Sequence, residues 1–399
     1  MANVTLALSQ NKNWHWGGGM GSVIGRLIEL VVVGLVLSVP PVFAQAVNDK
    51  TAATCDQLAS SPLDPAVPVG TGVKFDDLDA GAAIVACASA VEANPDNAKL
   101  RFQLARSYDV AEQFDKAIAE YRVAADQGYA LALSSLGSLY EGGYGLDADP
   151  AAAARLYEEA AGAGVVVAME NLAKLYEDGR SVTQDYDRAV ELYRQAAEAG
   201  SPYASGSLGW LAENGFGMPQ DDVEAARLYQ IAADGGEAFA QHNIGVMYAK
   251  ARGGLTQSDV EAVKYFNLAA EQQWPPSYQS LGWHYSQGAG VSEDLAKAEE
   301  YFRLAIAEGD KNVRGDASND LAWMFATESI RLDEAEQLAR QAVDAGPEMA
   351  SRIDTLAWVL HVSGRHEDAL PFARKAVALE GDNAIFADHL AEIEAALGK

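Results

Sequence analysis

A short pattern returns along the chain at a nearly constant interval, and this regularity limits the possible folds more than any other feature. The pattern is an apolar residue, then Gly or Ala, any residue, and a second apolar residue (His284 in the fifth copy), usually followed by Tyr. Its copies begin at Leu136, Leu172, Leu208, Ile244 and Leu281, so they are 36, 36, 36 and 37 residues apart. A second block keeps step with the first and pairs Ala153, Ala189, Ala225, Ala262 and Ala298 with Tyr157, Tyr193, Tyr229, Phe266 and Phe302 four residues later.

Both blocks have apolar residues at helical spacing, so each predicts an amphipathic helix of about 12 residues. The small residue of the first block lets two helices approach closely, and the large aromatic of the second block fills the space beside it. The loop between them has the form Gly-x-Gly-apolar-x-x-Asp, as in 143–149. Its glycines can adopt positive φ, and its Asp can cap the second helix. Because one such hairpin cannot bury its own apolar face, we expect neighbouring hairpins to stack.

These motifs closely resemble the Sel1-like repeat family, with five units over 130–310. The resemblance implies an all-α fold, a right-handed α-solenoid of stacked helix-turn-helix repeats. The flanks resemble the related tetratricopeptide repeat, with helices predicted over 81–129 and two repeats over 311–382. Residues 383–399 predict a final capping helix. Leu104-Ala105 in the first flank, and Leu321-Ala322-Trp323 and Leu356-Ala357-Trp358 in the second, carry this resemblance.

The N-terminus predicts export. An apolar core of about ten residues within 27–42 follows Arg26 and precedes Ala44-Gln45-Ala46, which is typical of a signal peptide over 1–46. An uncleaved membrane anchor is the alternative, and Met20 could be the start instead of Met1. After cleavage near Ala46 we expect a periplasmic or secreted protein without stable membrane insertion.

Export changes the interpretation of the only two cysteines, Cys55 and Cys87. In an oxidising compartment they most simply form a disulfide, which would tie a Pro-rich N-terminal cap over 47–80 to the first helices. Two free thiols are the alternative. A Cys-Asp start, a Pro-rich loop and a second cysteine before the repeats resemble exported Sel1-like proteins of alpha-proteobacterial type.

Composition excludes several classes of function. Asp and Glu number 57 against 29 Lys and Arg, a net charge of −28, which argues against nucleic acid as a partner. No nucleophile elbow or phosphate-binding loop is present, and the six histidines show no metal-ligand spacing. The sequence therefore predicts a protein that is not an enzyme and that holds no metal or cofactor.

Two rows of residues form the candidate binding site. In tetratricopeptide-type units the residue after the Leu-Gly pair points into the groove, and so does the residue three positions later. Applied here, this rule predicts a row of acids and a row of tryptophans, and like charges in the acidic row are not expected to stabilise the fold. The predicted groove residues are Asp109, Glu141, Glu177, Glu213, Trp210, Trp283, Trp323 and Trp358.

The sequence thus predicts an exported scaffold or adaptor that binds a protein or peptide, one with basic groups, in its groove. Similar Sel1-like proteins imply envelope signalling or exopolysaccharide control as candidate processes. The alternative is a binding or hydrolytic wall protein for peptidoglycan or polysaccharide, with a glycan stacked on the tryptophans. Two further alternatives are that the acids form only a solvated face and that the tryptophans pack between helices.

Overall fold

The computed structural model describes residues 41–68, 71–180 and 182–398, with side chains from Asp49 onward. Residues 1–40, which hold most of the apolar stretch of the predicted signal peptide, lie outside the described residues. The described part contains nineteen α-helices and no strand, so the prediction of an all-α repeat fold is confirmed. None of these helices is both long and apolar enough to cross a membrane.

The helices are short and regular, most of them 13 or 14 residues long. In chain order they are α1 (Pro41–Ala59), α2 (Ala80–Ala93), α3 (Ala98–Val110), α4 (Phe114–Asp126), α5 (Ala130–Gly142), α6 (Pro150–Gly162), α7 (Val166–Asp178), α8 (Tyr186–Glu198), α9 (Pro202–Asn214), α10 (Asp222–Asp234), α11 (Ala238–Ala249), α12 (Asp259–Glu271), α13 (Pro275–Gln287), α14 (Leu295–Glu308), α15 (Lys311–Thr327), α16 (Leu332–Ala345), α17 (Ala350–Val362), α18 (His366–Leu379) and α19 (Ala384–Ala396).

The residues up to Ala111 form one compact unit, which contains α1, α2 and α3. Cys55 in α1 and Cys87 in α2 form a disulfide, and both are fully buried. Arg106 in α3 directly follows Leu104-Ala105, so the rule for groove positions also selects it, but its side chain is buried. Its guanidinium donates hydrogen bonds to the carbonyl oxygens of Ala59, the last residue of α1, and of Val73, within the loop that follows. A buried guanidinium requires such acceptors, so this arginine organises the loop.

Residues 112–399 form the second compact unit, which contains the repeats. Each first helix packs against the second helix of its own hairpin, and that second helix packs against the next first helix. One continuous core of buried side chains runs from Ala153 to Tyr265 through successive hairpins. The neighbours therefore bury the face that a single hairpin would expose, as the amphipathic pattern predicts.

The close approach of paired helices depends on the small residue of the first block. A methyl group added to Gly137 would lie 2.6 Å from the ring of Tyr157, and one added to Gly282 would lie 2.6 Å from the ring of Phe302. Both rings are 1% exposed. The predicted fit of ring against small residue is thus confirmed, because a larger residue at these sites would push the helices apart.

In the first and third repeats, the loop between the paired helices contains the predicted glycine after the first helix and the predicted aspartate before the second. The first helices α5 and α9 end at Gly143 and Gly215, whose φ values are +70° and +71°. The side chain of Asp149 accepts a hydrogen bond from the backbone N–H of Ala152, and Asp221 accepts from Val223 and Glu224. These aspartates cap the second helices as expected.

We predict that replacing both cysteines, as Cys55→Ser with Cys87→Ser, destabilises the N-terminal unit by about 3 kcal/mol, because the disulfide closes a loop of 32 residues. Amide hydrogen exchange in α2 should accelerate by about two orders of magnitude. Dithiothreitol should reproduce this acceleration in the wild-type chain and leave the double variant unchanged. Equal exchange in the oxidised wild type and the variant would contradict the prediction.

Candidate functional site

Three of the four predicted groove acids accept a hydrogen bond from a buried tyrosine of the same repeat. Glu141, Glu177 and Glu213 occupy equivalent places near the ends of α5, α7 and α9. The three donors, Tyr157, Tyr193 and Tyr229, stand 16 residues later in each case, at oxygen–oxygen distances of 3.0, 2.9 and 2.8 Å. Burial and the neighbouring carboxylate raise the pKa of each tyrosine well above its usual value, so the hydroxyl remains protonated and donates.

The second carboxylate oxygen of each glutamate faces a cation. Arg180 lies 3.3 Å from Glu141, Lys174 lies 2.9 Å from Glu177, and Arg252 lies 2.6 Å from Glu213. These side chains are half-buried, since the three carboxylates are only 13 to 26% exposed. Each glutamate is therefore satisfied within the fold on both oxygens.

The remaining two repeats lack both members of this pair. Where the first three repeats have Glu, the fourth has Ala249 and the fifth has Ser286, and their aromatics are Phe266 and Phe302. At this position of the five repeats, tyrosine thus occurs only where a glutamate can accept its hydrogen bond. The expectation that the acidic row would not stabilise the fold considered only repulsion between the acids and overlooked their tyrosine and cation partners.

The four predicted tryptophans differ in their surroundings. Trp283 in α13 is 45% exposed, whereas Trp210, Trp323 and Trp358 are half-buried. Trp323 lies 6.3 Å from Trp358 between ring centroids, and Trp358 stacks on His389 of α19 at 4.3 Å. The final helix therefore covers part of the surface that the C-terminal tryptophans were expected to present.

The fourth predicted acid and the cysteines belong to the N-terminal unit. Asp109 is half-buried near the end of α3. Cys55 and Cys87 are joined, as described above. Among the residues that the structure describes, no group of three or more His, Cys, Asp or Glu side chains could hold a metal ion.

A pocket of about 590 Å³ lies along the first helices of the second, third and fourth repeats. Its wall brings together two predicted groove residues, Glu177 and Trp210, with Lys174. Sequence reasoning missed the rest of the wall, which includes Tyr203, Glu237, Phe239 and Trp274. Glu237 and Trp274 stand directly before α11 and α13, so a signal was available in the residue that precedes each first helix.

We predict that Glu213 and Tyr229 are energetically coupled. Tyr229→Phe and Glu213→Ala should each lower the free energy of unfolding by about 1–3 kcal/mol, because the buried partner loses its hydrogen bond. The double variant has the same combination of residues as Ala249 and Phe266 in the fourth repeat. Its loss of unfolding free energy, measured by urea unfolding, should be smaller than the sum of the losses in the two single variants. The matched control combines Glu213→Ala with Tyr193→Phe, because Tyr193 donates its hydrogen bond to a different glutamate, Glu177. The losses of unfolding free energy of these two substitutions should add. Additivity in the Glu213–Tyr229 pair would disprove the coupling.

Comparison with known proteins identifies the repeat. The Sel1 repeat family model matches five consecutive segments: 130–165, 166–201, 202–237, 238–274 and 275–310. The described structure resembles a protective antigen of uropathogenic Escherichia coli with an SLR fold, at 24% identity and a TM-score of 0.62, over 78% of this chain and 67% of that one.

It also resembles a Sel1 repeat protein from Oxalobacter formigenes, at 27% identity and a TM-score of 0.54, over 60% of this chain and 98% of that one. No curated protein matches the chain. The flanking segments resemble tetratricopeptide repeats in sequence only, so that part of the assignment stays a prediction. Residues 130–310 therefore match five consecutive copies of the Sel1 repeat model.

Proposed function

We propose that this protein is a scaffold that binds another protein through the first helices of its Sel1 repeats. The observation that carries the proposal is an aromatic surface along these helices. Trp283 is 45% exposed in α13, and Trp210 lines the pocket with Tyr203 and Trp274. Exposed aromatic residues beside a pocket are typical anchors of protein interfaces, and stacked helical repeats provide extended binding surfaces.

The proposed partner is a protein or peptide segment that carries basic groups. The net charge of −28 attracts such a segment over long distances and accelerates encounter. Glu141, Glu177 and Glu213 contribute to this general attraction, although their oxygens are already paired within the fold. Reversing their charges would damage the repeats as well as the surface, so binding is better tested at the aromatic residues.

We also propose that the protein acts outside the cytoplasm, in envelope signalling or exopolysaccharide control. The support is the signal-peptide pattern over 1–46 together with the buried Cys55–Cys87 disulfide, since stable disulfides are typical of oxidising compartments.

A partner-capture experiment tests the scaffold proposal. The full chain is used to capture proteins from its native envelope, and a partner identified by mass spectrometry is purified and titrated. Trp283→Ala should weaken its binding at least fivefold, because an exposed aromatic anchor is removed. Ile231→Ala is the matched control, since Ile231 is 46% exposed on the second helix α10, and it should bind as the wild type does.

Two outcomes would overturn this proposal. One is equal binding by the wild type and Trp283→Ala. The other is the absence of any protein partner together with a saturable change of tryptophan fluorescence on adding peptidoglycan fragments, which would favour the alternative of a wall-associated glycan-binding protein.

Export is tested on the protein isolated from its own cells. We expect the mature chain to begin at Val47, as read by intact mass and N-terminal sequencing. A variant with Val32→Arg and Val33→Arg should remain uncleaved, because charges in the apolar stretch block its recognition as a signal peptide. A wild-type product that retains residues 1–46 would contradict the prediction.

A further inference from the structure

The pocket described above combines aromatic rings with carboxylates in a way that the scaffold proposal does not use. It lies between α7, α9 and the start of α11, and Trp274 closes one side. A volume of about 590 Å³ falls within the range of roughly 300–1,000 Å³ found for small-ligand sites. The space therefore accommodates one long side chain of a partner with its flanking backbone.

The wall of the pocket carries an uncompensated negative charge. Glu237 is half-buried, and its carboxylate has no hydrogen bond or ion pair within the described part of the chain. Burial raises the pKa of Glu237, as expected for a carboxylate with no cation beside it. Ser201 donates a hydrogen bond to the nearby Glu170. The pKa of Glu170 is raised mainly by burial and also by the negative charge of Glu237.

Among the described residues that line this wall, Lys174 is the only cation, and it is already paired. The ammonium group of Lys174 lies 2.9 Å from Glu177 and 3.0 Å from Asp178. Glu177 in turn accepts the hydroxyl of Tyr193, so both of its oxygens have partners. Glu237 is thus the carboxylate of the pocket that an incoming positive group would satisfy.

Four aromatic side chains line the same pocket as this carboxylate. Trp210, Tyr203, Phe239 and Trp274 line the pocket, and Phe239 meets Trp274 edge-on with ring centroids 6.3 Å apart. An aromatic face attracts a cation by about 0.5–2 kcal/mol, most strongly when the face belongs to tryptophan. The planar guanidinium can stack on a ring and donate to a carboxylate at the same time, which a compact ammonium does less well.

We propose that this pocket binds the guanidinium of an arginine side chain from the partner protein, with Glu237 as its counter-ion and the aromatic rings as its stacking surface. The inference rests on the proposed scaffold function and adds the residue type that the partner inserts. It also explains why a half-buried glutamate without an internal partner shares a pocket with four aromatic side chains.

The experiment uses the full chain with ¹⁵N-labelled tryptophan and follows the indole N–H signals of Trp210 and Trp274. Acetyl-Gly-Arg-Gly-amide should shift both signals saturably. The same peptide with citrulline, which has the shape of arginine without its charge, should bind at least tenfold more weakly. The Lys peptide should fall between the two.

Glu237→Gln should weaken binding of the Arg peptide at least fivefold and leave the helical signal and melting temperature unchanged, because the Glu237 carboxylate has no hydrogen bond or ion pair within the described part of the chain and glutamine has nearly the same shape. Glu308→Gln, an exposed glutamate of α14, is the matched control and should have no effect. Equal binding of Arg and citrulline peptides, no saturable shift, or full binding by Glu237→Gln would each overturn the inference. A protein partner that depends on Trp283 but not on Glu237 would overturn it while leaving the scaffold proposal intact.

Discussion

Each repeat depends on an aromatic ring of its second helix that packs directly against a residue of the first helix with little or no side chain. Tyr157 against Gly137 and Phe302 against Gly282 are examples, and both rings are almost completely buried. The contact sets the distance between the paired helices and therefore the width of the face that the next hairpin must cover. Because every hairpin completes the core of its neighbour, a change of helix spacing in one hairpin also disturbs its packing against the next hairpin.

The hydroxyl group of this aromatic adds a second constraint in the first three repeats. A buried phenol needs an acceptor, and the glutamate near the end of the first helix supplies it. That glutamate is then partly removed from water and needs a cation on its other oxygen. A surface that looks like an acidic row in the sequence is therefore a series of three-part polar clusters, whose geometry is fixed by the packing beneath them.

Much of this architecture could be predicted from the sequence, because it depends on residues at fixed spacing. The Leu-Gly pair, the aromatic of the second block and the capping aspartates all recur, so the helices and their pairing follow from local rules. The Glu213–Tyr229 bond could have been found in the same way, since Tyr is replaced by Phe wherever Glu is missing.

Other features could not be predicted, because they depend on segments outside the repeat. Arg106 occupies a groove position by spacing but is buried under a loop that has no periodicity. His389 covers part of Trp358 from a helix beyond the last repeat. Glu237 and Trp274 stand in the connections between successive repeats, and only the packing of successive hairpins brings them to one pocket.

The cations that complete the glutamate clusters come partly from the following repeat, and this has a consequence for how the array can change. Arg180 follows α7 yet reaches Glu141 of the repeat before it, and Arg252 follows α11 yet reaches Glu213 and Asp222. Neighbouring modules are therefore matched to one another as well as to the shared repeat pattern. Deleting the second repeat would leave Glu141 without Arg180, and deleting the fourth would leave Glu213 without Arg252, so this array is expected to evolve by changes within modules more readily than by shuffling them.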